Sequence, residues 1–221
     1  MYDFSVENRE YEKYLNSKSR KYYIKEKCTE LLSVLEKYDS RSYRVLNLGC
    51  GDGAAEKIIH KCSNKIIGVD SSKNMLVKAQ KYDIPNCQFI QAEALHLPFS
   101  DNQFDLIFQF SLFHHLPSSI WKLLIEEIVR VASRPALLLT FEHNPSNLIT
   151  RRLVRQSLID EDVTLLSMPQ MVELYKAASI KSIKKRNIIF FPSFLSFLSP
   201  LRRLLYNIPY GGQYYILGKI A

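Results

Sequence analysis

Three groups of residues in this chain have types and spacings that suit chemistry. The first is the run Gly49-Cys50-Gly51-Asp52-Gly53, which stands between an apolar stretch and a helix-forming one. Glycines let the backbone approach a ligand and take dihedrals that a side chain would forbid. The helix that follows offers free N–H groups to an anion or a polar cofactor. The second is the carboxylate of Asp70, at the end of an apolar run. An ionised acid at such a strand tip accepts hydrogen bonds from vicinal hydroxyls, as a ribose presents them. The third is a set of histidines, His114, His115 and His143, which can take or give protons near neutral pH. Taken alone, Gly49-x-Gly51-x-x-Ala54 also satisfies a nicotinamide-dinucleotide fingerprint, so this loop by itself leaves an oxidoreductase open.

These groups need elements that hold them, and the apolar pattern supplies candidates. Tyr43–Leu48 reads as a buried strand ending at the glycines, and Ala54–Lys61 as the helix after them. Strands are predicted at Lys65–Val69, Cys87–Gln91, Phe104–Phe110 and Ala136–Phe141. Between them lie a helix capped by Ser71 or Ser72 and carrying Met75, Leu76 and Ala79, and a helix with Trp121, Leu124, Ile125, Ile128 and Val129 inward. Strands alternating with helices imply a parallel sheet covered on both faces. Upstream, Ile24, Cys28, Leu31, Leu32 and Leu35 recur at helical spacing. Downstream, Ser167–Ala178 reads as a helix, and Ile180–Phe190 and Gln213–Ile220 as strands.

The chain has 221 residues, 47% of them hydrophobic, which suits one α/β domain with a full core. Four scattered cysteines form no CxxC pair and read as reduced thiols without a zinc site or a disulfide framework, as in a cytoplasmic protein. The first residues lack a basic segment followed by an apolar run, so no signal peptide is expected. No uninterrupted apolar segment is long enough to span a bilayer. A net charge of +8 would suit an anionic partner, but acids are mixed with the bases over much of the chain, and a solvated surface is the simpler reading.

The segment from Gln91 to Asp105, with Glu93-Ala94, Leu97-Pro98-Phe99 and Phe104-Asp105, narrows the choice. It resembles the adenine-side segment of class I S-adenosylmethionine-dependent methyltransferases. Three more stretches carry the resemblance: Val45–Gly53, Gly68-Val69-Asp70-Ser71-Ser72-x-x-Met75, and Ser111–Leu116 with its His-His-Leu. Together they cover about the first two thirds of the chain. The resemblance implies a Rossmann-like, doubly wound α/β fold with a seven-stranded sheet, mostly parallel with an antiparallel last strand. It also implies S-adenosylmethionine as cofactor and a cofactor set of Asn47, Gly49, Cys50, Gly51, Gly53, Asp70, Ser71, Met75, Glu93, Ala94 and Gln109. In that set the glycine loop lines the methionine end, Asp70 holds the ribose, Glu93 and the Ala94 N–H read the adenine, and the Gln109 carbonyl meets the ammonium. Asn47 departs from the family, which usually has an acid there. Methyl transfer from a sulfonium needs mostly alignment, and a base only when the nucleophile is protonated. His143, paired with Glu142, and His115 are the candidate bases.

One domain is expected: a helical lid over 1–42, a cofactor core over 43–142, and a substrate side over 143–221. Phe110, Phe113, Tyr11, Tyr14, Tyr22 and Tyr23 are candidates to face the sulfonium with a ring. The apolar stretch 191–209, with Arg202 and Arg203, reads either as an amphipathic peripheral membrane contact or as an insertion packed on the sheet or on a second subunit. The acceptor is expected to be a small molecule, a glycan or a lipid. An RNA or protein substrate and a non-catalytic cofactor-binding protein are the alternatives; no Asn-Pro-Pro-Tyr-like base-reading motif follows the fourth strand to support a nucleic acid.

Overall fold

A computed structural model describes residues 9–38, 42–157, 163–206 and 208–221, with the side chains of 9–12, 202 and 203 left aside. Its centre is a seven-stranded sheet of order β3-β2-β1-β4-β5-β7-β6. The strands are β1 (Arg44–Leu48), β2 (Lys65–Asp70), β3 (Cys87–Gln91), β4 (Phe104–Phe110), β5 (Ala132–His143), β6 (Lys181–Ile188) and β7 (Gln213–Ile220). The pairs β1/β2, β1/β4, β2/β3 and β4/β5 are parallel, and β7 runs antiparallel to both β5 and β6. The strand order reverses between β1 and β4, which opens a crevice at their carboxyl ends.

The period-two alternation of the strands builds two cores. Leu46, Leu48, Ile67 and Ile107 face one way, against Leu124, Ile125 and Ile128 of α5 (Trp121–Val131) and Met171 and Tyr175 of α7 (Met168–Ala177). Val45, Ile66, Leu106 and Phe108 face the other way, against Cys28, Leu31 and Leu35 of α2 (Lys18–Lys37) and Ala55 and Ile59 of α3 (Ala54–Ile59). Helices therefore cover both faces, as the doubly wound fold requires. A short α1 (Arg9–Asn16) leads into α2, and α4 (Lys73–Gln80) starts at Ser72, whose side chain accepts from the Met75 N–H. The Ser167/Gln170 capping box starts α7.

Three elements differ from expectation. β5 begins four residues early and ends two later, because its first residue pairs with Phe104 beyond an irregularity in the register. The stretch after β5, rich in arginine, forms α6 (Leu148–Arg155), started by Asn147, whose side chain accepts from the Thr150 N–H. The apolar stretch near 191–209 forms tight turns over Ser193–Leu201 and then α8 (Arg202–Leu205), and the turns pack against α2 rather than on the sheet. No helix among the described residues is long and apolar enough to cross a membrane.

Candidate functional site

At the carboxyl edge of β1, β2 and β4 lies a cavity of about 1010 Å³. The glycine loop forms its floor. Gly49, Gly51 and Gly53 all have positive φ, which bends the chain sharply from β1 into α3. The Gly49 and Cys50 amides donate to the Val69 carbonyl at 2.8 and 3.0 Å, fixing the loop to β2. A Cβ placed on Gly51 would meet nothing within 4 Å among the described residues: the space beside this glycine is open cavity. Gly53 differs. A Cβ there would lie 2.9 Å from Ala79 of α4, so this glycine serves close packing, and it does not line the cavity.

Asp70 ends β2 and turns its carboxylate back to the loop. It accepts from the Gly51 N–H at 2.8 Å and from the Ser72 N–H at 2.9 Å. Burial pushes its carboxyl up and the nearby Glu93 and Asp52 add to that, against the pull of the two amides. Ser71, Met75, Glu93 and Ala94 line the same end of the cavity. Asn47 also lines it and is 2% exposed; its Nδ2 donates to Glu56 Oε1 at 2.6 Å, while its buried Oδ1 has no hydrogen-bond partner among the described residues. Glu56 is fully buried in α3, where burial raises its carboxyl to about 7.

The other end of the cavity belongs to β4, β5 and the segment between β4 and α5. Gln109 does not reach the cavity. Its side chain is fully buried, accepting from the Leu112 N–H at 2.7 Å and donating to Glu142 at 3.3 Å. Phe110 and Ser111, the next two residues, line the wall instead. Ser111 has φ +61, an uncommon backbone for a residue with a side chain, held by its N–H to the Phe141 carbonyl. The pairing expected for Glu142 is different as well. Its carboxylate bonds His114 Nδ1 at 2.6 Å and the Phe113 N–H at 2.8 Å, both groups being buried. Burial works to raise that carboxyl, and the His114 and His143 imidazoles hold it below its ordinary range. His143 stands edge-on to His114 at 4.9 Å between ring centres, with Gln213 Nε2 3.3 Å from its Nδ1, and His115 lies 4.2 Å from His114. All three histidines line the cavity. Phe113 is core, and of the candidate tyrosines Tyr14 and Tyr23 line the cavity whereas Tyr22 does not; the Tyr11 side chain lies outside the described residues.

Several lining residues were not anticipated. Arg20 grips Asp52 with two bonds of 2.6 and 3.1 Å and so ties α2 to the glycine loop. Lys27 is nearly buried, with Nζ 3.4 Å from Ser111 Oγ and 4.9 Å from the centre of the Phe110 ring. It lies on the stripe of Ile24, Cys28 and Leu31, where a lysine at helical spacing within an apolar face is the available signal. Thr150, Leu153 and Val154 bring α6 to the opposite rim.

The cavity fits an adenosyl sulfonium amino acid in its distribution of charge and space. Carboxylates gather at the end next to β2 and β3, an open glycine floor and an orphaned acceptor on Asn47 lie in the middle, and imidazoles and a lysine lie at the far end. Comparison with known proteins agrees. Residues 45–134 match the family model described as a methyltransferase domain. An uncharacterised methyltransferase of Synechocystis is 28% identical over 109 residues, covering 49% of this chain and 51% of that protein, so the match spans about half the relative's length. An uncharacterised protein of Methanocaldococcus jannaschii is 24% identical over 173 residues, 78% of this chain and 70% of that one. In structure, a methyltransferase of Thermotoga maritima, described as a possible histamine N-methyltransferase, superposes with a TM-score of 0.71 at 16% identity over 95% of this chain and 94% of that one, which shows a common fold. The glycine floor and the strand order are those of the fold shared with these methyltransferases, and residues 45–134 match the methyltransferase domain within it.

Proposed function

We propose that the protein transfers the methyl group of S-adenosylmethionine to a small-molecule, glycan or lipid-type acceptor that enters between α2 and α6. The observation that carries this reading is a single cavity running from Asp70 and Glu93, across the glycine loop, to His115 and His143. S-adenosylmethionine supplies an electrophilic methyl group with a neutral leaving group. The chain's part is to bind, align and exclude water. Asp70 accepts from the ribose hydroxyls, and Glu93 and Ala94 meet the adenine. Gly49, Cys50 and Gly51 face the methionine portion, with Asn47 offering Oδ1 as a neutral acceptor. Ser71 and Met75 complete the nucleoside wall. The α1–α2 helices act as the lid, held down by Arg20 on Asp52.

At the acceptor end, His143 takes the proton of a hydroxyl nucleophile as the new O–C bond forms. Its neighbour His114, bound to the Glu142 carboxylate, sets the field in which the imidazolium forms. His115 shapes the same wall. In an assay of methyl transfer across a panel of hydroxyl and amine acceptors read by mass spectrometry, His143→Ala should lower turnover on a hydroxyl acceptor by about 100-fold or more and leave S-adenosylhomocysteine affinity unchanged. Turnover equal to the unsubstituted protein would remove His143 as the base.

A further inference from the structure

The rim of the cavity carries large apolar side chains in an unusual setting. On α6, Leu148 is 75% and Ile149 72% exposed; on the turns and α8 across from it, Phe194 is 78% and Leu204 80% exposed. The two segments belong to one rim. Asn147 Nδ2 donates to the Tyr210 carbonyl and Thr150 Oγ1 to the Gly212 carbonyl, joining α6 to the chain that leads out of α8. Ser19 and Ser193 share a hydrogen bond of 2.8 Å, and Tyr206 donates to Glu30, joining the same chain to α2. Leu153 is 55% exposed and also lines the cavity, so apolar surface runs from the outside into the site.

Arginines accompany these apolar side chains: residues 143–159 include three, before Asp160-Glu161-Asp162, and Arg202 and Arg203 begin α8. On α6, Arg151, Arg152 and Arg155 are exposed beside the exposed apolar residues. Exposed leucine, isoleucine and phenylalanine interleaved with arginine suit the boundary between acyl chains and anionic headgroups. Nucleic acid would meet the arginines but leave the aliphatic side chains without a partner. We propose that α6 and the 193–206 segment dock this protein on an anionic lipid bilayer, with the cavity mouth turned to the membrane. The inference concerns the outer rim and stands whatever the methyl acceptor is.

The test is flotation of the full chain with vesicles of phosphatidylcholine mixed with phosphatidylglycerol, against pure phosphatidylcholine. The account predicts binding to the mixed vesicles and little to the neutral ones. Leu148→Ser, Phe194→Ser and Leu204→Ser together should weaken that binding about tenfold or more. Arg151→Gln with Arg155→Gln should reduce the preference for the anionic vesicles. Calorimetry with S-adenosylhomocysteine on the same preparations, unchanged by either set, shows that the fold and the cofactor site are intact and keeps this test separate from that of the methyltransferase reading. Equal binding to both vesicle types, or unchanged binding by both variant sets, overturns the proposal. So does self-association that the serine variant abolishes without vesicle binding, which assigns the face to a second copy. Retention on RNA that the arginine variant abolishes, again without vesicle binding, overturns it in favour of nucleic acid.

Discussion

At the scale of single residues, the pair of Asn47 and Glu56 is the most informative feature. Position 47 offers a neutral amide to the cavity, and a buried glutamate on α3 sits one layer deeper, bonded to it at 2.6 Å. Full burial raises the Glu56 carboxyl from 4.5 to about 7. Between those values the folded state holds a proton that the unfolded state has lost. Stability therefore falls as pH rises through that window, by about 3 kcal/mol, and the loss is complete above it. Glu56→Gln removes this titration, so the variant should gain about 3 kcal/mol relative to the unsubstituted protein between pH 5 and pH 8 in denaturant unfolding. A difference independent of pH would contradict the assignment. This pairing was hidden in the sequence, because nothing in Ala54-Ala55-Glu56 marks a buried acid. The glutamate reads as the solvent side of a helix until the helix is laid on the sheet. Asp70, by contrast, was legible, since it ends an apolar run and precedes a capping serine.

At the scale of elements, the strands announced themselves and the cover did not. Apolar runs fix β1, β2 and β4 closely, the first two closed by Gly49 and Asp70, because strands buried on both faces tolerate few polar residues. The position of α2 over the cavity depends on long-range contacts that no local pattern encodes, chiefly Arg20 with Asp52 and Lys27 with Ser111. α6 was missed for a related reason: four of its eight residues are arginine or threonine, and only Thr150 and Val154 are buried. The Arg20–Asp52 pair is largely shielded, with side chains 14% and 11% exposed. Arg20→Ala should therefore speed amide exchange in the first turns of α2 by about tenfold or more while leaving α5 unchanged. Identical exchange in both proteins would show that the pair does not hold α2 over the cavity.

At the scale of the whole molecule, the sheet order explains why the site is where it is. The reversal between β1 and β4 leaves a crevice that neither crossover helix fills; β1, β2, β4 and β5 bring their carboxyl ends there, and the antiparallel β7 its first residue, Gln213. The expected family fold, with its antiparallel seventh strand, is the one observed. The end of the cavity away from Asp70 was less legible, since its wall is assembled from α2, α6, β5 and the chain before β7, which are far apart in sequence. Its Glu142–His114 pair emerges only when the end of β5 meets the segment after β4, 28 residues away. The central claim is that the glycine loop and the carboxylates of the next two strand ends form one site for an adenosyl sulfonium. Calorimetric titration of S-adenosylhomocysteine into the protein and into Asp70→Asn, with NADH as control ligand, tests it most directly. The account predicts binding of S-adenosylhomocysteine but not NADH, and an affinity about 10- to 100-fold weaker in the variant, the worth of a charge-assisted hydrogen bond. No binding, or the same affinity in both proteins, would contradict it.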